Sequence, residues 1–334
     1  MGRDLRLYPK NASKSDLVSF IKSFRNIRKS SSLWDWPKGT LNFHWFDSID
    51  YKSSVGVEIT IYPATDEEKE YTDNLWAIHV RNTYSATWYD VTMLNTILRT
   101  GRKKFGGDIF GDYGKNKYAP LWNDSSSPMG RGLLWVRDMA RNNLSYVVHR
   151  IPDETLLPAG NDELAKFLGS LDPSRTIYNG LVPFLVSIVE FYLKNIFVIV
   201  LKYDPEANGK MADHSQKINF IDLVDDKSLE TLIAENYTFQ NLRQVKKAFK
   251  DWLDIDIENV LSRPKTRIGS GNTLWNDLDE LIVYRHEIIH HLGVDSNLSR
   301  KNFIRLTKTT EKVLDTLLGY LTKKYDVILE NDEV

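Results

Sequence analysis

The sequence feature that most constrains the fold is the apolar run at residues 181–201 of this 334-residue chain. The run is long enough to cross a lipid bilayer, but Glu190, Lys194 and Asn195 interrupt its middle, where charge in a membrane is unfavourable. A helix that is apolar on most sides is otherwise typical of the centre of a helical bundle. We therefore expect a buried helix here and no membrane partner.

Strand and helix patterns divide the chain into two parts. Before residue 158, strand-like alternation occurs around 41–46, 55–62 and 75–82, and helical spacing at 15–27, 89–99 and 132–142. Strand signals nearly vanish after a segment rich in Pro, Gly, Asp and Ser, and five helices are predicted at 182–202, 217–235, 239–253, 274–292 and 300–324. The sequence predicts an α+β N-terminal domain, residues 1–158, followed by an all-α helical bundle, residues 159–334.

The chain contains no cysteine. This excludes disulfides, thiolate catalysis and cysteine-ligated metal sites, so a bound metal would need His and carboxylate ligands. The first residues lack the apolar run of a signal peptide, which makes a cytoplasmic location the default expectation.

Chemically active side chains are concentrated in residues 284–293, which read Tyr-Arg-His-Glu-Ile-Ile-His-His-Leu-Gly. They belong to a predicted helix that begins near Thr273, a candidate N-cap. Arg285 lies within the apolar stripe of this helix, which consists of Leu274, Leu278, Leu281, Ile282, Ile289 and Leu292. A guanidinium on such a stripe needs a partner, and the simplest explanation is a carboxylate of the bundle or a group across a subunit interface.

Two sequence patterns overlap in this segment. Arg285 and His290 fit an Arg-x4-His ribonuclease pattern, whereas His286, Glu287 and His290 fit the HExxH pattern of zinc hydrolases. The choice between them decides the predicted function.

Residues 285–293 resemble the signature of HEPN domains, in which an Arg, usually followed by a polar residue, precedes a His by four to six intervening positions. The order is most similar to the RiboL-PSP-type branch, which often reads Arg-His-x-Ile-Val-His and continues shortly to a Gly, here Gly293. The first predicted bundle helix, in which Glu190 is surrounded by apolar and aromatic residues, also resembles the opening helix of that branch. The resemblance extends over roughly residues 160–325 and predicts a HEPN-like bundle.

The resemblance implies a metal-independent endoribonuclease that acts as a homodimer, with both motifs lining one cleft, and such proteins are often toxins or antiviral effectors. It implies catalytic roles for Arg285 and His290 and supporting roles for His286 and Glu190. The chemistry agrees, because histidine transfers protons near neutral pH and arginine stabilises the charge of a phosphorane. Five positions on a helix separate two side chains by about 140°, so pairing across a two-fold axis is expected.

Two alternatives remain open at this stage. His286 and His290, four residues apart, lie on one helix face and are candidate zinc ligands, with Glu287 as the general base. Ser296 stands where the longer zinc-protease pattern has its third His, so the third ligand would instead be a downstream Glu such as Glu311. The other alternative is a HEPN-like interaction module without catalytic activity.

Outside the motif, the signals are weaker. Arg99, Arg102, Lys103 and Lys104 follow a predicted helix and are candidates for binding RNA, although basic residues at a helix C-terminus are already favoured by the helix dipole. The glycine-rich residues 106–114 lack the Lys-Ser/Thr of a phosphate-binding loop. We expect no cofactor, and the expected partners are RNA, a second copy of the chain, and an inhibitor or trigger molecule.

Overall fold

The structure of the chain is a computed structural model. It describes residues 2–30, 37–154, 163, 167, 171–215, 228–263, 272–291, 293–296 and 298–329. The contacts divide the chain into two compact units, one up to Arg131 and one from Gly132 to Leu329. The predicted domain boundary between residues 158 and 159 lies outside the described residues.

The first unit contains a six-stranded antiparallel sheet with the order β2-β3-β4-β5-β1-β6. The strands are β1 (Gly2–Tyr8), β2 (Ile27–Ser30), β3 (Leu41–Trp45), β4 (Val57–Pro63), β5 (Trp76–Thr83) and β6 (Asp108–Gly111). Two helices, α1 (Lys14–Lys22) and α2 (Trp88–Phe105), accompany the sheet. The α+β prediction is confirmed, and β3, β4 and β5 correspond to the three predicted strand-like runs.

One face of the sheet forms the core of this unit, because alternate residues of each strand point to the same side. Its fully buried members are Leu5, Leu7, Ile59, Ile61, Ile78 and Val80. The apolar faces of α1 and α2 pack against them through Leu17, Ile21, Val91, Leu94, Ile97 and Leu98. The periodicities seen in the sequence therefore arise from one shared core.

Both helices of this unit end at other positions than the sequence predicts. α1 ends at Lys22 instead of continuing to residue 27, since Asn26 adopts a positive φ of 62° and turns the chain into β2. α2 continues past Gly101, where a side chain would collide with Leu7, and it ends at Phe105 because the next residue, Gly106, has a positive φ of 66°.

The second unit is helical, as predicted. Its described helices are α3 (Pro128–Val148), α4 (Pro173–Tyr203), α5 (Pro205–Ser215), α6 (Leu229–Glu235), α7 (Leu242–Leu253), α8 (Ile257–Ser262), α9 (Leu274–His291) and α10 (Arg300–Lys324). The first turn of α3 precedes Gly132, the first residue of this unit. Four predicted helices correspond to α4, α7, α9 and α10. The fifth, at 217–235, lies partly outside the described residues, and α6 is its described portion. The sequence did not predict the short helices α5 and α8.

The apolar run belongs to α4, which is long and apolar enough to cross a membrane by length and composition alone. Of the most apolar 18-residue stretch of this helix, 61% is buried inside the protein. Its fully buried side chains include Tyr192, Leu193 and Phe197, and it packs against α6, α7, α9 and α10. The prediction of a buried bundle helix is confirmed.

Candidate active site

The first half of α9 is anchored in the bundle core. The side chains of Leu274, Leu278 and Leu281 are at most 2% exposed. The Thr273 hydroxyl accepts a hydrogen bond from the backbone N–H of Asn276 at 3.3 Å, which confirms the predicted cap. This half therefore fixes the axis along which the motif residues follow.

The second half of α9 emerges at the surface. Val283 is 54% exposed and Ile289 is 43% exposed, and His286, His290 and His291 are exposed as well. The predicted apolar stripe is thus buried only as far as Leu281, and Leu292 lies outside the described residues. The motif residues consequently combine with exposed apolar side chains on one accessible part of the helix.

A buried amide on α4 holds the end of α9 in place. Asn179 is 2% exposed, and its Oδ1 accepts hydrogen bonds from the Tyr284 hydroxyl and from the backbone N–H of Asp295, both at 2.9 Å. Its Nδ2 donates to the carbonyl oxygens of Arg175 at 2.8 Å and of Asp295 at 3.0 Å. Burial raises the pKa of Tyr284, so its hydroxyl remains a donor.

The sequence analysis did not single out Asn179. Its partners Tyr284 and Asp295 lie more than a hundred residues further along the chain. No local pattern could have indicated these contacts, since an Asn in a helix has no preferred long-range partner.

Arg285 is half-buried and lies on the same helix face as Leu278 and Leu281. Its guanidinium forms no hydrogen bond or ion pair with the residues that the structure describes. Glu190, the expected supporting carboxylate, instead accepts a hydrogen bond from the side-chain amide of Gln240. The role of Glu190 in the site therefore stays a prediction, and the bundle supplies no described counterion to Arg285.

The histidines of the motif lie close together. The ring centroid of His286 is 4.4 Å from that of His290 and 5.8 Å from that of His291. No contact joins Arg285 to His290 within the described part of the chain, as expected for side chains about 140° apart on one helix. The structure thus brings His290 together with His286 and separates it from the Arg285 of the same chain.

An open pocket of about 360 Å³ lies beside His286. Asp279, Ile282 and Val283 of α9 form one side of it, and Gln240, Asn241, Leu242 and Arg243, around the start of α7, form the other. Gln240 is also the partner of Glu190, so the expected supporting residue contacts this pocket wall. The space beside His286 is accessible from solvent, and its walls combine polar side chains with the apolar side chains of Leu242, Ile282 and Val283.

The zinc alternative has only two candidate ligands in the described structure. Among the described residues, no group of three or more His, Asp or Glu side chains is placed to hold a metal. Glu311, the example of a downstream third ligand, forms an ion pair with Arg141 at 3.5 Å. His286 and His290 are adjacent, as that alternative requires, but a third described ligand does not join them.

The basic residues predicted to bind RNA lie at the end of α2, where most have structural contacts. Arg102 donates a hydrogen bond to the carbonyl of Gly107 at 3.1 Å and also lies 3.9 Å from Asp108. Arg99 and Lys104 form cation–π contacts, at 5.1 Å from the ring centre of Tyr118 and 5.2 Å from that of Phe105. Lys103 is exposed. RNA binding by this group stays a prediction.

A comparison with known families decides the class of the helical unit. Residues 161–323 match the family model of RiboL-PSP-HEPN domains, and the match includes the whole of α9. The C-terminal half of this chain is a HEPN domain. The resemblance predicted over roughly residues 160–325 is thereby confirmed, whereas the sheet unit lies outside the match. No curated protein and no solved structure matches the chain.

Proposed function

We propose that the HEPN domain is a metal-independent endoribonuclease in which Arg285 and His290 are the catalytic residues. The observation that carries the proposal is Arg285 itself, a half-buried cation without a described partner, inside the motif of a HEPN domain. A half-buried charge to which the described residues offer no counterion is unfavourable for folding, which supports a role with an anionic ligand. A phosphate of RNA fits the five donors of a guanidinium.

The proposed reaction requires two proton transfers and no external reactant. The 2′-oxygen of a ribose loses its proton and attacks the adjacent phosphorus, and the bond from phosphorus to the 5′-oxygen breaks. The leaving 5′-oxygen takes up a proton, so the products are a 2′,3′-cyclic phosphate and a 5′-hydroxyl. His290 transfers protons near neutral pH, and Arg285 stabilises the negative charge on the phosphorane oxygens.

A homodimer would supply what one protomer lacks. Within one chain, Arg285 and His290 point in different directions, whereas a two-fold axis through this surface would place Arg285 of one protomer near His290 of the other. It would also provide two copies of His290, one to accept a proton and one to donate it.

Exposed apolar side chains around the motif support dimerisation. Val283 and Ile289 on α9, Val294 just after it, and Ile177 and Phe184 on α4 are between 43% and 59% exposed. The Asn179 hydrogen bonds hold the start of α4 and the end of α9 together. Large apolar side chains exposed on the helix that carries the motif and on the helix that holds it support an interaction site there. We assign this surface to the partner protomer.

The biological setting of the proposed nuclease follows from the resemblance. We propose a cytoplasmic toxin or antiviral effector, with an inhibitor or trigger that controls it and with the sheet unit as its sensing or recruitment module. These assignments depend on the nuclease activity, which is the first property to test.

The first test is RNA cleavage in excess EDTA, with the product ends identified by mass spectrometry. We expect cleavage that leaves 2′,3′-cyclic phosphates, because side chains supply both charge stabilisation and proton transfer. His290→Ala should lower the rate by about 10²-fold or more. His291→Ala, which removes the adjacent exposed imidazole, is the matched control and should stay within a few-fold of the wild type.

Glu287→Gln separates the proposal from the zinc alternative. Glu287 has no role in the proposed reaction, so this variant should retain most of the activity, whereas a zinc hydrolase would lose its general base and with it about 10²–10⁴-fold in rate. Loss of cleavage in EDTA that zinc restores, together with an inactive Glu287→Gln protein, would support the metal site. A dimer that binds RNA and never cuts it would support the non-catalytic module.

A further inference from the structure

The last helix of the HEPN domain carries a row of exposed cations. Lys301, Arg305, Lys308 and Lys312 of α10 are all exposed, and their spacings of four, three and four residues place them on one face. We call this row the basic face. It is about 16 Å long, from the helical rise of 1.5 Å per residue.

The described residues do not compensate the charges of the basic face. None of its four side chains forms an ion pair or hydrogen bond with a residue that the structure describes. The acids of the same helix are engaged elsewhere, since Glu311 and Asp315 both pair with Arg141, at 3.5 Å and 2.7 Å. The basic face therefore presents four positive charges to solvent without a nearby counterion of its own helix.

The position of Lys301, in the first turn of α10, is unfavourable for the helix. The N-terminal end of a helix favours negative charge, yet the first turn of α10 contains no acidic residue and begins with Arg300 and Lys301. The helix dipole therefore does not favour Lys301, and it has little effect on the other three cations beyond the first turn. Core packing does not explain them either, because the buried residues Phe303, Val313 and Leu317 lie on the opposite face. Local choices that conflict with stability are expected at functional sites.

An open groove accompanies the basic face. It has a volume of about 760 Å³, and its lining includes Lys301, Arg305 and Lys308 together with Arg300 and Glu154. The Glu154 carboxylate already accepts a hydrogen bond from the backbone N–H of Arg300 at 2.9 Å, and Asp153 lies 3.1 Å from the Arg300 guanidinium. The acids at this end of the helix are thus occupied, and the groove has a surplus of positive charge.

We propose that the basic face binds the phosphate backbone of the RNA that the HEPN domain cuts. The inference rests on the proposed nuclease function and adds to it the surface that holds the substrate chain. Exposed Lys and Arg side chains in a row along one helix match a linear polyanion, and contacts of this kind do not depend on the base sequence. The basic face then contributes to substrate affinity, while Arg285 and His290 carry out the chemistry.

Binding through phosphates makes a quantitative prediction about salt. Each phosphate neutralised on a single strand contributes about −0.7 to the slope of log affinity against log salt concentration. Four contacts on the basic face therefore account for a slope of about −3. Removing their charges should make the slope shallower by that amount and should weaken binding at low salt by at least about tenfold.

The experiment measures anisotropy of a short fluorescent single-stranded RNA, in a His290→Ala background that prevents cleavage. The test variant replaces Lys301, Arg305, Lys308 and Lys312 with Gln. The control variant makes the same change in net charge through exposed lysines off the basic face, at Lys246, Lys247, Lys250 and Lys323. The test variant should lose affinity and salt dependence, and the control should retain both.

A second measurement separates this inference from the proposed function. In the background with His290 intact, the test substitutions should raise the KM for RNA more than they lower kcat, because they remove substrate contacts and leave the chemistry in place. If the wild type cleaves RNA but the test variant has an unchanged affinity, salt slope and KM, the basic face is not the substrate surface. If the wild type cleaves no RNA, the nuclease proposal fails, and the anisotropy data still decide whether the basic face binds RNA. If the fourfold variant does not fold, the double variant Arg305→Gln/Lys308→Gln can replace it. This double variant should show about half of the expected change in the salt slope.

Discussion

The cations at the end of α2 and the cation in the middle of α9 differ in what surrounds them. Arg102 is fixed by Gly107 and Asp108, and Arg99 lies over an aromatic ring, so the fold itself explains both side chains. Arg285 is half-buried and has no described partner. The sequence pattern indicated a functional role for both groups. Their contacts in the structure differ, since the cations of α2 have structural partners and Arg285 has no described partner. A charged side chain whose contacts the fold does not provide is the better candidate for binding a substrate.

The largest expected effect tests this difference directly. Arg285→Ala should lower kcat/KM for RNA by about 10²–10³-fold, as expected when one group that stabilises the transition-state charge is removed. Its thermal stability should stay close to that of the wild type, since no described ion pair is lost. Arg102→Ala should show the reverse, with nearly normal cleavage and a lower Tm. The comparison breaks if Arg285→Ala unfolds the domain while Arg102→Ala is inactive.

A smaller effect is expected where α9 is held in position. Asn179→Ala leaves the Tyr284 hydroxyl and the Asp295 N–H without their buried acceptor, which costs about 1–3 kcal/mol per unsatisfied group. We expect a clear decrease in Tm and a modest decrease in kcat. Tyr284→Phe removes one donor instead of the shared acceptor, so its effect on both quantities should be smaller. Equal Tm values for Asn179→Ala and the wild type would show that this contact does not position the motif.

Periodicity predicted the parts of the fold that depend on one face of a regular element. Residues 41–46, 55–62 and 75–82 alternate and are bounded by turn residues, and they form β3, β4 and β5. The helices α4, α9 and α10 repeat their apolar residues over many turns. Short elements such as α8 and β6 contain too few residues to show a period, and tertiary contacts determine them. The basic face of α10 was visible in the spacing of its cations, although the sequence analysis did not identify it.

The local sequence indicates which residue types form the candidate site, but it does not indicate their long-range contacts. The Arg285–His290 segment and its helix follow from the local sequence. The bond of Glu190 to Gln240, the hydrogen bonds of Asn179 and the pairing of Glu311 with Arg141 all join residues that are distant in the chain. Such contacts arise from packing of helices against one another, so a single sequence contains no direct signal for them.

The most direct test of the account is whether two protomers share the active site. Wild-type protein is mixed, with subunit exchange, with a doubly substituted protein that carries Arg285→Ala and His290→Ala. If each site needs groups from both chains, only wild-type homodimers cut RNA, so activity falls with the square of the wild-type fraction, to about a quarter in an equal mixture. A linear decrease, to about half, would show that each chain works alone and would contradict the shared site.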